Sequence, residues 1–129
     1  MRVLVSGDRE WTDEAMVLVQ MLSLYREHGD DLVFIHGDAK GADRCCENVC
    51  RRHEIPRLVA PAPWNRFKSL GKGNGAGPWR NRWMLKHGNP DLLLAFHDDL
   101  EHSKGTKDMV QLAEAAGIPV RRFSHERVL

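Results

Sequence analysis

Leu32-Val33-Phe34-Ile35, followed by His36-Gly37-Asp38-Ala39-Lys40-Gly41-Ala42-Asp43, carries the chain from an apolar strand through a turn flanked by glycines into a helix. That helix is expected from Ala42 to about His53, with Pro56 marking its exit. The first N–H groups of a helix have no acceptor within it, so such a turn offers backbone donors to an anion. It is not a Walker A loop, because no Lys followed by Ser or Thr comes after Gly41, and its glycines lack the G-x-G-x-x-G spacing. His36, Gly37, Gly41 and Asp43 are candidate ligand-binding residues on this placement. Asp43 also has the plainer role of complementing the helix dipole.

The same rhythm runs along the rest of the chain. Arg2–Ser6 reads as a short strand that stops at Gly7. Thr12 and Asp13 supply N-cap chemistry for a helix reaching His28, with Leu18, Met21, Leu22 and Tyr25 at helical spacing and Gly29 closing it. Leu58–Ala60 is a third strand, ending at Pro61. From there to Pro78 the chain holds Pro63, Gly71, Gly73, Gly75 and Gly77, which predicts one long loop. Trp79–His87 follows as a helix with Pro78 at its first turn. Asp91–Phe96 has no polar alternation, as a strand covered on both faces requires. Thr106–Ala116, closed by Gly117, and Pro119–Phe123 give a last helix and a fifth strand.

Strands alternating with helices call for right-handed crossovers and a parallel sheet between two helical layers. The expectation is a single α/β domain over residues 1–129. It is Rossmann-like and three-layered, with a five-stranded parallel sheet ordered 3-2-1-4-5. Ligands of such folds sit at the carboxyl ends of the strands where the order reverses, here between the first and fourth. The loops expected there are Gly7–Trp11, His36–Asp43 and His97–Thr106.

A chain of 129 residues is long enough to bury a core without a disulfide or metal staple. Hydrophobic content of 42% and charged content of 29% fit a soluble globular protein. No apolar run approaches bilayer length, so no membrane role is expected. Met1-Arg2 leads directly into Val3-Leu4-Val5, too brief for the apolar core of a signal peptide. Cys45, Cys46 and Cys50 are odd in number and crowded together, which suits a reducing cytoplasm and plain packing better than a disulfide framework. The histidines make no His-Glu-x-x-His pattern and no Gly-x-Ser-x-Gly elbow surrounds Ser6, so neither a metal nor a nucleophilic serine is expected, and no cofactor is.

Two further turns carry chemistry. In Ser6-Gly7-Asp8-Arg9, Gly7 permits close approach of a ligand and Arg9 offers a planar fork of donors. In Ser103-Lys104-Gly105-Thr106, Gly105 permits the same approach while Thr106 offers a hydroxyl at a helix start, with Asp108 in the first turn. A Thr N-cap with an acidic first turn is the plainer reading. Net charge is only +1, so nucleic acid is not expected as the partner. Arg66, Lys68, Lys72, Arg80, Arg82 and Lys86 nevertheless form an acid-free basic stretch, able to hold a phosphate or track a single strand. Trp79 and Trp83, one helical turn apart, suit stacking on a base, a subunit interface, or core packing.

Taken together, several stretches resemble the SLOG superfamily in its small YspA-like branch. They are Ser6-Gly7-Asp8-Arg9-Glu10-Trp11, His36–Asp43, Pro61-Ala62-Pro63-Trp64, Ala76–Met84 and Ser103–Met109, in order along nearly the whole chain. The resemblance implies a Rossmann-like fold that binds a nucleotide or nucleotide-derived ligand. It also implies kinship with the LOG phosphoribohydrolases, which release the base of a nucleoside monophosphate using an Arg on one helix and an acid after a Gly-Thr turn. Arg80 and Asp108 match those two by position, as candidate catalytic residues, and Asn81 joins the ligand-binding set. The LOG turn carries Pro-Gly-Gly before its Gly-Thr and a Glu pair after it, where this chain has Phe96-His97-Asp98-Asp99 and a lone Asp108.

Three functions follow as alternatives: an N-glycosidic hydrolase, a non-catalytic sensor or sequestering module for a signalling nucleotide, and a single-stranded DNA binder. The superfamily's DNA-processing protein DprA supplies the third. Pairing of the Trp79–Leu85 helix with a copy of itself predicts a homodimer or higher homo-oligomer.

Overall fold

The computed structural model describes residues 1–71 and 75–125. Its elements are β1 (Arg2–Gly7), α1 (Glu14–His28), β2 (Val33–His36), α2 (Ala42–His53), β3 (Arg57–Val59), α3 (Trp64–Ser69), α4 (Ala76–Gly88), β4 (Leu92–Phe96), α5 (Gly105–Ala115) and β5 (Val120–Phe123). The strands form one parallel sheet in the order β3-β2-β1-β4-β5, as the sequence predicts. Among the described residues no helix is long and apolar enough to cross a membrane.

Alternation along the strands builds two cores. Val3, Val5, Phe34, Leu92, Leu94 and Phe96 face α1 and α2, while Leu4, Ile35, Leu93 and Ala95 face α4 and α5. Every residue of β4 is buried, which explains its uninterrupted apolar run. Cys45, Cys46 and Cys50 are free thiols packed into the first core. Burial pushes the Cys45 and Cys46 thiols above their usual range, so they behave as small apolar side chains.

Helix α1 starts where expected, with the Asp13 carboxylate accepting the Met16 N–H at 3.0 Å, and ends at Gly29 with φ 60°. Its inward face is Val17, Met21 and Leu24 rather than the Leu18, Met21, Leu22 and Tyr25 stripe. Leu18 and Tyr25 are partly buried and pack at the margin of the first core. The expected loop from Pro61 to Pro78 contains α3 and the first turn of α4. Pro63 caps α3 and accepts the Phe67 N–H at 3.1 Å, and Phe67 then packs on Trp79 with ring centroids 6.1 Å apart. A helix this short, bracketed by prolines and glycines, leaves no periodic signal. Lys72 and Gly73 lie outside the described residues. Trp83 and Leu85 are partly buried against the second core and Met84 is buried in it, which leaves Trp79 as the exposed apolar residue of the stretch expected to pair between copies.

Beneath the sheet's carboxyl edge lies a charged hub. Glu47 of α2 accepts from Arg57 through Nε at 2.7 Å and Nη2 at 2.8 Å, from Arg51 Nε at 2.7 Å, and lies 2.9 Å from His36 Nε2. The Arg57 fork, helped by His36 and Arg51, holds the Glu47 carboxyl at about 2, against the desolvation that opposes it. His36 Nδ1 accepts the Asp38 N–H at 3.0 Å, so the ring's proton sits on Nε2 and is donated to Glu47. The hub thereby fixes the turn that opens α2. At the other end of the chain His125 bridges Asp13 at 2.7 Å and Asp98 at 2.9 Å and stacks on Trp11, and the Asp13 and Asp98 carboxylates hold its imidazolium above the usual range.

Candidate functional site

The carboxyl ends of β1 and β4 part where the strand order reverses, and a crevice of about 620 Å³ opens there. Glycine makes its back wall possible. A Cβ on Gly7 would stand 2.4 Å from the Phe96 carbonyl oxygen and 2.5 Å from the Ala42 Cβ, so only a glycine lets α2 begin this close to β1. The Asp8 carbonyl then accepts the N–H groups of Ala42 and Trp11, both at 3.1 Å, and the Asp8 carboxylate accepts the Glu10 N–H at 3.0 Å. His97, just past β4, accepts the Asp99 N–H on Nδ1 and turns Nε2 toward Asp8 at 3.9 Å.

The floor is polar and largely buried. Asp43 is 6% exposed and accepts the N–H groups of Gly37 at 3.0 Å and Ala39 at 3.3 Å, both through Oδ2. Burial pushes its carboxyl above the usual range, against the pull of Arg80, His36 and those two amides. Arg80 of α4 donates to the Gly37 carbonyl at 2.6 Å and to Asn81 Oδ1 at 3.2 Å. Desolvation lowers the proton affinity of its guanidinium; Asp43 opposes that and the Arg9 cation adds to it. Asn81, 4% exposed, donates to Asp108 Oδ2 at 3.0 Å and to the Gly105 carbonyl at 3.3 Å, tying α4 to the start of α5. Thr106 is not the N-cap: that position is Lys104, which makes no side-chain cap bond. Ser103 Oγ accepts the Lys107 N–H at 2.9 Å, while Thr106 is the second residue of the helix and buried.

Of the residues singled out in the sequence, Gly7, Asp8, Arg9, Asp43, Arg80, Asn81, Ser103, Gly105, Thr106 and Asp108 line this one crevice. Three others stand behind it. His36 is fully buried on Glu47, Gly37 meets Arg80 through its carbonyl, and Gly41 packs against the Asp8 and Arg9 backbone. The walls also contain Glu10, Trp64, Pro78, His97 and Lys104. Trp64 had one legible signal, its place directly after Pro61-Ala62-Pro63 where β3 reaches the same sheet edge. Arg66, Lys68, Arg82 and Lys86 are exposed and lie outside the crevice. Among the described residues no group of His, Cys, Asp and Glu is arranged to hold a metal ion.

The lining mixes charges. Arg9, Arg80 and Lys104 suit an anion, whereas Asp8, Glu10, Asp43 and Asp108 suit hydroxyl or amino donors. Such a set fits a small ligand with both an anionic and a hydroxyl-bearing part.

Residues 1–67 match the YspA, cpYpsA-related SLOG family. The Gene 61 protein of Mycobacterium phage D29 is 32% identical over 122 residues, 95% of either chain. DNA processing protein A from Helicobacter pylori, solved for its single-stranded DNA binding mode, superposes with a TM-score of 0.66 at 19% identity. The match covers 100% of this chain and 66% of that one, so this protein spans just under two thirds of it. UDP-GlcNAc 2-epimerase from Neisseria meningitidis, solved with UDP-GlcNAc, superposes with a TM-score of 0.54 at 20% identity over 95% of this chain and 32% of that one. At such identities the two structures share the fold. A neighbour that binds single strands bears against the expectation, drawn from net charge, that nucleic acid is no partner. With a family match over its first half and a phage relative along almost its full length, this chain belongs to the YspA, cpYpsA-related SLOG family.

Proposed function

We propose that the crevice binds a nucleotide or nucleotide-derived small molecule, in the cytoplasm. The observation that carries this reading is the meeting of Arg80, Asp43, Asn81, Asp108 and the first turn of α5 around one cavity of about 620 Å³. That volume is within the range of about 300–1,000 Å³ usual for small-ligand sites. Phosphate would lie at the Gly105–Thr106 amides and Lys104, where the helix start and a cation favour negative charge. Arg80 is held by its bond to Gly37 and adds a partly desolvated cation, while Asp43 and Asp108 would accept from ribose hydroxyls. Both fold neighbours named above bind nucleotide-containing molecules, single-stranded DNA in one and UDP-GlcNAc in the other.

Calorimetry with ribonucleoside monophosphates tests the reading. Binding is expected, and Arg80→Ala should weaken it about 10- to 100-fold, the effect of removing one charged hydrogen-bonding partner. Absence of binding by every nucleotide tried would remove the proposal. Following free base in the same samples separates a hydrolase from a binding module. In the first, Asp108→Asn stops base release while affinity changes little, since Asp108 would stabilise charge on the opening ribose.

Single-stranded DNA binding is the second reading, favoured by exposed Arg66, Lys68, Arg82 and Lys86 beside half-exposed Trp79. The crevice acids favour the first, because they repel a continuous phosphate backbone and deoxyribose has no 2′-hydroxyl to offer them. Retention of single strands in a mobility-shift assay, falling steeply with salt, would reverse that order.

A further inference from the structure

Trp64 is the first residue of α3, is 39% exposed and lines the crevice. The other large apolar side chains left exposed among the described residues are Val19, Val59, Leu70 and Trp79, and none of these reaches the crevice. An indole kept in contact with water beside a polar floor forgoes burial worth about 25 cal/mol per Å², so its position is not explained by core packing. A Cβ on Gly77 would lie 3.7 Å from Trp64 Cη2, which places the ring beside the first turn of α4. Gly77 and Asn81 are one turn apart on that helix, and Asn81 bonds to Gly105 and Asp108. Trp64 and the start of α5 therefore meet α4 at points about 6 Å apart along its axis, and both line the one crevice. The guanidinium of Arg9 lies over the indole at 5.5 Å from its centroid. A base stacking on this face would displace that flat, delocalised group, since an indole face attracts cations and aromatic bases alike.

We infer that Trp64 is the shelf on which an aromatic base stacks, so that the ligand class is a base-bearing nucleotide and not a sugar phosphate. The inference rests on the crevice being a nucleotide site. Base-to-aromatic stacking contributes about 1–3 kcal/mol, which reads as a change in affinity of about 5- to 150-fold.

The test compares ribose 5-phosphate with the four ribonucleoside 5′-monophosphates by calorimetry on the wild-type protein, Trp64→Ala and Trp64→Phe, with thermal melts to confirm folding. The wild type should bind at least one nucleotide about tenfold or more tighter than ribose 5-phosphate. Trp64→Ala should remove that advantage and leave ribose 5-phosphate within about twofold, while Trp64→Phe keeps most of it. Equal weakening of both ligand types in folded Trp64→Ala would assign the indole a purely structural part and overturn the inference, as would an unchanged ratio. Failure of the wild type to bind either ligand type removes the nucleotide site itself, and this inference with it.

Discussion

Gly41→Ala is expected to lose at least about 3 kcal/mol of stability and to spoil the crevice with it. Two penalties coincide at this position. Its φ of +76° belongs to a region that side chains with a Cβ rarely enter, and a Cβ there would stand 2.0 Å from the Asp8 carbonyl oxygen and 2.6 Å from the Arg9 carbonyl group. The Asp8 oxygen has no room to retreat, because it holds the N–H groups of Ala42 and Trp11. Any shift that relieves the clash therefore pulls on the start of α2 and on the turn after β1 together. Urea denaturation should show a lower midpoint with an unchanged slope. Gly105→Ala is the comparison: its Cβ would meet nothing within 4 Å and no positive φ is involved, so stability should stay near or slightly above that of the wild type. A Gly41→Ala protein as stable as its parent would show that the turn is not held as tightly as these distances require.

Glu47→Ala should be comparably damaging, at about 3 kcal/mol, because Glu47 is buried and its removal strands the fully buried His36. His36 Nε2 would lose its acceptor inside the protein, and Arg57 would lose both bonds of its fork. The effect must also depend on pH. The carboxyl sits at about 2 in the folded protein against 4.5 ordinarily, so ionised Glu47 stabilises the fold above pH 4.5 and that contribution fades as pH falls toward 2. The full shift corresponds to about 3 kcal/mol, reduced to about 2 by solvent around the more exposed arginines. The stability difference between wild type and Glu47→Ala should accordingly shrink between pH 4.5 and pH 2.5 in denaturant titrations. A difference that stays constant across that range would mean that packing, not charge, makes Glu47 matter. Because His36 in turn holds the Asp38 N–H, the variant should also loosen the turn whose Gly37 carbonyl steadies Arg80.

The order of the sheet was readable because each crossover leaves its own mark. Glycine stands at the ends of β1, α1 and α5, proline stands after α2, and an apolar run with no polar alternation identifies β4 as covered on both faces. Helix α2 is matched at both ends, whereas α3 was hidden by its own flanks. The crevice was legible to the extent that it is built from turns. Gly7, Asp43, Gly105 and Asp108 sit at strand ends and helix starts, which a parallel sheet must gather on one edge. Side chains that arrive from a helix flank were harder to assign. Trp64 carried no turn chemistry, and His36, the last residue of β2, resembled a ligand-binding group while serving the Glu47 hub. Burial separates His36 from His97, and nothing in the spacing of the two does so.

The sealed thiols of α2 have a practical consequence. Cys45 is 7% exposed, Cys46 and Cys50 are 0% exposed, and all three sit in the interior that forms on folding. A maleimide probe should leave the native protein almost unmarked and react with all three sulfurs once the chain is denatured, so alkylation becomes an internal clock for global opening. Rapid modification under native conditions would reveal breathing of α2 that its packing does not suggest. A cysteine engineered elsewhere on the surface would then take a dye at a single position, with the natural sulfurs left in place.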